Sequence, residues 1–220
     1  MSSQRYKILY KEGEAEISEK KSRFIAHIAP AQTEEEAQVF IEKIKKQYWD
    51  ARHNCYAYIL KGEGATPTAR CSDDGEPSQT AGKPMLDVLM GEGLMDVCAV
   101  VTRYFGGTLL GTGGLIRAYT KSTQEGIKES MVIEKCLGVM LSLTCDYTTS
   151  GKIQYLTATE HIPVLDTVYT DNVTFEMIVP VEEVGSVEKK FMEASMGKAV
   201  LKKGEETYYA EIDGKISYDL

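Results

Sequence analysis

The 220-residue chain carries 25 Lys and Arg against 33 Asp and Glu, and its 43% of hydrophobic residues is typical of a globular protein. Two domains of about 100 residues each fit this length. The longest apolar runs, such as Val97–Val101, are too short to cross a bilayer, and the segment Met1–Glu12 contains no apolar stretch typical of a signal peptide. We therefore expect a cytoplasmic protein that does not associate with membranes.

Charge is distributed unevenly along the chain. Residues 1–135 contain 18 Lys and Arg and 19 Asp and Glu, a net charge of −1, whereas residues 136–220 contain 7 and 14, a net charge of −7. An acidic surface binds polyanions poorly. Any nucleic-acid surface is therefore expected in the N-terminal half.

The cysteines and histidines do not form a recognisable metal-binding or redox motif. They are Cys55, Cys71, Cys98, Cys136, Cys145, His27, His53 and His161. No two cysteines have C-x-x-C spacing, and three scattered histidines do not suggest a multi-histidine site. We predict structural cysteines, no metal site and no cofactor.

The N-terminal half begins with strand-like segments at Glu14–Ser18 and Arg23–Ala29. A helix follows, because Thr33 and Glu36 have the spacing of a capping box and apolar residues then recur at helical intervals up to Tyr48. The remaining predicted elements of this half are a strand at Asn54–Leu60, a loop at Gly62–Gly82, a helix from about Pro84 to Met90, a strand at Leu94–Tyr104, a helix from about Gly114 to Glu129 and a closing segment at Met131–Glu134.

The C-terminal half has a different order of elements. Strands are predicted at Val139–Cys145, Val164–Tyr169, Val173–Val179 and Thr207–Ile212. Helices are predicted through Ile153 and through Phe191, the second ended by Gly197. This βαββαβ order is typical of the ferredoxin-like motif. We therefore predict two domains, at 1–135 and 136–220.

A glycine-rich segment between a predicted strand and a predicted helix is the strongest candidate for a binding site. Five glycines fall within nine residues, and two arginines flank them: Arg103, Gly106, Gly107, Gly111, Gly113, Gly114 and Arg117. Such a turn allows close backbone approach, and a helix start with nearby arginines suits an anion such as phosphate. Thr112 stands where a Walker P-loop has its lysine. A tight strand-to-helix connection without a ligand is an equally weighted alternative.

An acidic loop supports an enzymatic alternative. Asp73, Asp74 and Glu76 could hold Mg²⁺, with His53 as a general base and the glycine-rich turn as the phosphate site. The competing interpretation is that Asp-Asp-Gly-Glu-Pro is ordinary turn chemistry and that His53 is a hydrogen-bonded structural residue. Of the two, we favour the interpretation without catalysis.

Aromatic residues in the first half could stack on RNA bases. They are Tyr48, Trp49, Tyr56, Tyr58, Tyr104, Phe105 and Tyr119. Core packing is the expected role of most of them. Tyr104, next to Arg103, is the aromatic residue that we predict to take part in binding.

A spaced signature in the first half resembles that of the YigZ/IMPACT family. It consists of Gly82, Met85, Leu86, Leu89, Leu94, Val100, Val101, Arg103–Gly107, Leu110 and Gly111. The segments Arg52–Ala57 and Asp73–Pro77 also resemble that family. The similarity extends over the whole chain, since bacterial members carry a second, ferredoxin-like domain.

The resemblance implies a ribosomal-protein-S5-domain-2-like fold for the first half. The second half is similar to domain V of elongation factor G, so the tandem is similar to domains IV and V of that factor. Eukaryotic members regulate the starvation response at translation initiation by competing for a protein partner. We therefore expect an α+β protein that binds RNA, the ribosome or a translation factor without catalysis. The alternatives are a Mg²⁺-dependent phosphate-handling enzyme and a protein-interaction module with an acidic docking half.

Overall fold

The structure, a computed structural model, describes residues 5–62 and 66–218. Its contacts divide the chain into two compact units, Met1–Glu134 and Lys135–Leu220, one residue from the boundary expected at 135/136. The strands are β1 (Arg5–Lys11), β2 (Gly13–Glu19), β3 (Ser22–Pro30), β4 (His53–Leu60), β5 (Thr68–Ser72), β6 (Val97–Tyr104), β7 (Met131–Cys145), β8 (Val164–Tyr169), β9 (Val173–Pro180), β10 (Val200–Ile212) and β11 (Lys215–Ser217). The helices are α1 (Glu34–Gln47), α2 (Gly82–Gly91), α3 (Gly111–Lys128), α4 (Tyr147–Thr159) and α5 (Val184–Ala194), with a 3-10 turn at Val181–Glu183.

The first unit is built on a five-stranded antiparallel sheet in the order β2-β3-β6-β4-β5. Side chains alternate between the faces of a strand. Phe24 and Ile28 of β3 therefore pack in the core formed with α2 and α3, while Ala29 packs in the core formed with α1. The sheet lies between α1 on one face and the pair α2 and α3 on the other.

Helix α1 forms for the reasons that its sequence indicates. Thr33 is the N-cap, and its Oγ1 accepts a hydrogen bond from Glu36 N at 3.1 Å. The return bond differs from the expected capping box, since Glu36 Oε2 accepts from the backbone N–H of Gln32 at 2.7 Å. Phe40 and Ile44 are buried on one face of the helix. Local capping and apolar spacing together determine this element.

The second unit confirms the predicted βαββαβ order. Its sheet runs β11-β10-β7-β9-β8, and the four strands β10-β7-β9-β8 form the ferredoxin-like arrangement, with β11 added at the edge. Alternate residues of β7, such as Leu141 and Leu143, are buried in one core with Ile153 of α4 and Phe191 of α5. Strand β1 also pairs with β7, whose residues 131–134 belong to the first unit.

Several boundaries differ from those expected. Strand β5 lies inside the segment predicted as a loop, because an edge strand of sequence Thr-Ala-Arg-Cys-Ser has little apolar alternation. Residues 63–65 of that predicted loop lie outside the described residues. Helix α3 begins at Gly111 rather than Gly114, which shortens the glycine-rich turn. In the described part of the chain, no helix has the length and apolar character needed to cross a bilayer.

Candidate functional site

The glycine-rich segment connects β6, the central strand of the first sheet, to helix α3. Gly107 and Gly111 have φ angles of +84° and +69°, a region that side-chain-bearing residues rarely adopt. A Cβ on either glycine would meet no atom within 4 Å. Backbone conformation, and not packing, therefore requires glycine at these two positions.

Gly106 is required for a different reason. A Cβ at this position would lie 2.0 Å from the carbonyl carbon of Lys21 and 2.3 Å from the nitrogen of Ser22. The Gly106 N–H also donates to Ser22 Oγ at 3.1 Å. The glycine-rich segment thus packs closely against the turn between β2 and β3, as expected for a tight strand-to-helix connection. This contact holds residues 105–110 beside Lys20 and Lys21.

Helix α3 begins without a capping side chain. Leu110 is the N-cap residue, and the first turn contains neither Asp nor Glu. Gly111, Thr112 and Gly113 are exposed. The first N–H groups of a helix lack intrahelical acceptors and lie at the positive end of its dipole, so this end favours an anion. Arg117 Nη1 would lie 3.6 Å from a Cβ on Gly113, which places a guanidinium at the same end of the helix.

A basic cleft adjoins this helix start. Its volume is about 230 Å³, and it is lined by Ile17, Ser18, Glu19, Lys20, Leu110, Gly114, Arg117, Ala118 and Lys121. Three of these residues are cationic and one is anionic. Among residues 5–62 and 66–218, no ion pair involves Lys20, Arg117 or Lys121. The basic cleft therefore presents three cations without a close ion pair among these residues beside an uncapped helix start, although Lys121 acts at longer range on Glu125, whose pKa it helps to lower. Gly114, in the first turn of α3, also lines the cleft.

The structure places Arg103 in the core rather than at this surface. Its side chain is 7% exposed, and Nη1 donates to Glu76 Oε1 at 2.6 Å. Its Cζ lies 5.4 Å from the ring centroid of Phe24 and 5.8 Å from that of Phe105. A buried, paired guanidinium is not available to phosphate, which corrects the role expected of Arg103.

Tyr104 is also already engaged. Its hydroxyl donates to Asp50 Oδ1 at 2.7 Å, and this hydrogen bond raises the pKa of the phenol above its ordinary value. The Arg23 guanidinium lies 5.5 Å from the Tyr104 ring centroid. The expected Arg103–Tyr104 pair therefore does not form a joint binding site, because the two side chains alternate to opposite faces of β6.

Glu76 belongs to a buried network and not to a metal site. Its Oε1 accepts from Arg103 and from the Tyr119 hydroxyl, the latter at 3.0 Å. Cys55 Sγ contacts the same hydroxyl at 3.3 Å. Burial raises the pKa of both the Cys55 thiol and the Tyr119 phenol. Both groups are therefore protonated at neutral pH, and the network serves to neutralise the Arg103 charge within the core.

The other residues of the acidic loop also have structural partners. Asp73 accepts from the backbone N–H groups of Gln79, Ala81 and Gly82 at 2.8, 3.0 and 2.9 Å and thereby caps α2. Asp74 Oδ2 accepts from Asn54 N at 2.7 Å.

His53, at the start of β4, is bonded to the acidic loop, since its Nδ1 contacts the Asp74 carbonyl oxygen at 2.8 Å. The described residues contain no cluster of three or more His, Cys, Asp and Glu side chains arranged to hold a metal ion. The turn interpretation accounts for all four residues of the enzymatic alternative, because each carboxylate or imidazole already bonds within the fold.

Lys20 and Lys121 are members of the site that the sequence reasoning missed. Lys20 lies in the β2–β3 turn, where it and Lys21 have φ angles of 45° and 69°. Lys121 follows Arg117 by four residues on α3 and so shares its helix face. The i,i+4 spacing is a usable signal for Lys121. Lys20 reaches the same cleft because of the way the β2–β3 turn packs. No sequence pattern near Lys20 indicates this position.

Comparison with known proteins places these units in a family. The model of the Impact N-terminal domain matches residues 20–127, a range that contains the three cations of the basic cleft. IMPACT family member YvyE of Bacillus subtilis (strain 168) is 48% identical over 196 residues, which cover 89% of each chain. The chain belongs to the IMPACT family. The predicted resemblance is thereby confirmed.

Other IMPACT family relatives show how far the similarity extends. IMPACT family member YigZ of Escherichia coli (strain K12) is 35% identical over 182 residues, covering 83% of this chain and 89% of that protein. Protein IMPACT of Xenopus laevis is 39% identical over 98 residues, but the match covers only 43% of this chain and 31% of that one. The two-domain organisation is therefore shared with the bacterial proteins.

The second unit and the complete chain also have matches. The model of a domain of unknown function, DUF1949, matches residues 143–198. A crystal structure of a hypothetical protein shares 33% identity and superposes with a TM-score of 0.58, covering 92% of this chain and 98% of that one. The α+β class, with a ribosomal-protein-S5-domain-2-like first domain and a ferredoxin-like second domain, is confirmed.

Proposed function

We propose that this IMPACT family protein is a non-catalytic factor that binds RNA. The basic cleft would contact the phosphate backbone of the RNA. The observation that carries this proposal is the convergence of Lys20, Arg117 and Lys121 on the cleft without ion-pair partners among the described residues. Contacts of Lys and Arg with phosphates supply most of the sequence-independent affinity for nucleic acids. The uncapped start of α3 adds backbone N–H donors beside these cations.

The charge distribution supports an RNA surface on the first unit. That half of the chain is nearly neutral overall, whereas residues 136–220 carry a net charge of −7. The first fold occurs in a ribosomal protein and the second in elongation factor G, which supports a role in translation or in its regulation under stress. Fold analogy indicates the class of partner only, so the basic cleft carries the argument for RNA.

The test is a titration of fluorescently labelled RNA, followed by anisotropy between about 50 and 200 mM salt. Arg117→Ala and Lys121→Ala are each expected to weaken binding. For a single strand, each lost phosphate contact lowers the slope of log K against log salt by about 0.7. Lys128→Ala is the matched control, because it removes the same charge from the same helix at a residue that pairs with Glu125 outside the basic cleft.

Three results are informative. Weaker, less salt-dependent binding in the cleft variants, with the Lys128 variant unchanged, supports the proposal. Binding that is insensitive to both cleft substitutions refutes this location for the RNA surface. The absence of binding at low salt refutes RNA as the ligand and leaves a protein partner as the next candidate, with the acidic second unit as the docking half.

A further inference from the structure

Resting on the proposed function, we infer that the RNA at the basic cleft is single-stranded and that one of its bases stacks on Phe105. Phe105 is 50% exposed and directly follows β6. The sequence places it among the aromatic residues that could stack on RNA bases, for most of which core packing is the expected role. Its exposure beside cationic groups instead matches the surfaces on which proteins stack unpaired bases.

The buried network lies beside this ring. Arg103 Cζ lies 5.8 Å from the Phe105 ring centroid, and Arg103 is itself held by Glu76 at 2.6 Å. A stacking ring that is ordered before binding loses less conformational entropy when the base arrives. Arg103 is therefore a positioning residue for Phe105, which gives the buried ion pair a function at the surface.

Phe105 is connected to the basic cleft through the neighbouring turn residues. The next residue, Gly106, contacts the backbone of Lys21 and Ser22, and Lys20 lines the cleft. On the other side, the chain continues from Phe105 to Leu110, which also lines the cleft. A strand whose base stacks on Phe105 is thus within a few residues of Lys20 and Leu110, which line the cleft.

Other exposed residues fit this role less well. The hydroxyl of Tyr104 is bound to Asp50, and its side chain lies on the opposite face of β6 from Arg103. Trp49 is 82% exposed but follows α1, which packs on the opposite face of the sheet from α3. Leu109 is 83% exposed and lies in the same turn, but it has no aromatic face.

The ligand is inferred to be single-stranded because a base in a duplex is already stacked and paired. A stacking platform gains energy only from a base that is splayed out. Base–aromatic stacking contributes about 1–3 kcal/mol per base, which corresponds to a change in affinity of roughly 5- to 150-fold. Single-stranded RNA is therefore expected to bind more tightly than a duplex of the same sequence.

The test compares full-length wild type, Phe105→Leu and Phe105→Trp, using one RNA oligonucleotide as a single strand and as a duplex. Phe105→Leu is expected to weaken single-strand binding by roughly 5- to 150-fold, and Phe105→Trp to retain it. A fluorescent adenine analogue in the RNA should be quenched by wild type and not by Phe105→Leu. Leu109→Ala, an apolar truncation in the same exposed turn, is the matched control and should bind as wild type does.

The two proposals fail in different ways. If RNA binds through Arg117 and Lys121 but ignores Phe105→Leu, or binds equally well as a duplex, the stacking inference is wrong and the proposed function stands. If neither form of RNA binds to wild type at low salt, both proposals are wrong. Equal loss in Phe105→Leu and Leu109→Ala would indicate a general disturbance of the turn and would also overturn the stacking role.

Discussion

Replacing Glu76 with alanine is expected to destabilise the first unit by about 3–5 kcal/mol. The Glu76 and Arg103 side chains are 3% and 7% exposed, and they are joined by a bond of 2.6 Å. Without Glu76, the guanidinium loses its counter-charge within the core, and the Tyr119 hydroxyl loses its acceptor at 3.0 Å. Arg103 Nε is already buried without a hydrogen-bond partner among the described residues, so the charge has no alternative compensation there.

Hydrogen exchange of β6 measures this effect, because the central strand exchanges mainly through opening of the whole unit. A loss of about 3–5 kcal/mol raises the exchange rate of Val97–Tyr104 by roughly 150- to 5,000-fold. Glu16→Ala is the matched control. It removes the carboxylate of the Arg23–Glu16 pair, whose side chains are 52% and 44% exposed, and it should change the exchange by less than about fivefold.

A change of less than about tenfold in Glu76→Ala would refute this reasoning. It would mean that Arg103 finds other partners or water when Glu76 is absent. Equal increases in the exchange rate for Glu76→Ala and Glu16→Ala would also refute it. Burial would then not determine how much an ion pair contributes to the free energy of unfolding.

Three further perturbations test other contacts. Asp73→Ala removes the acceptor of three backbone N–H groups at the start of α2, so calorimetry should show a loss of about 1–3 kcal/mol; a loss confined to a few tenths would contradict this capping role. Gly106→Ala places a Cβ 2.0 Å from the Lys21 backbone and should lower the free energy of unfolding by about 1–3 kcal/mol, as measured by denaturant unfolding. Gly113→Ala is the control, because its Cβ has no contact closer than 3.6 Å, and it should not destabilise the protein. Burial lowers the pKa of His27, so the unfolded chain takes up the proton first and stability should decline as the pH falls below about 6.5. A denaturation series across that range should show a shallower decline in His27→Gln, and an unchanged slope would count against this assignment.

The sequence by itself determined several local elements and the family. Thr33 and the apolar spacing after it predicted α1, and the βαββαβ order predicted the second domain. These predictions succeeded because capping and side-chain periodicity act over a few residues. The spaced signature from Gly82 to Gly111 indicated the IMPACT family by itself, because it combines many residue types at fixed distances along the chain.

Only the tertiary structure decided which side chains are available for binding. Arg103 and Arg117 looked equivalent beside the glycine-rich segment, but strand alternation and Glu76 place one in the core, while the helix face of α3 places the other on the cleft. Lys20 reaches that cleft from a separate hairpin. Burial and convergence depend on the packing of elements that are distant in the chain, and no local pattern of residues contains that information.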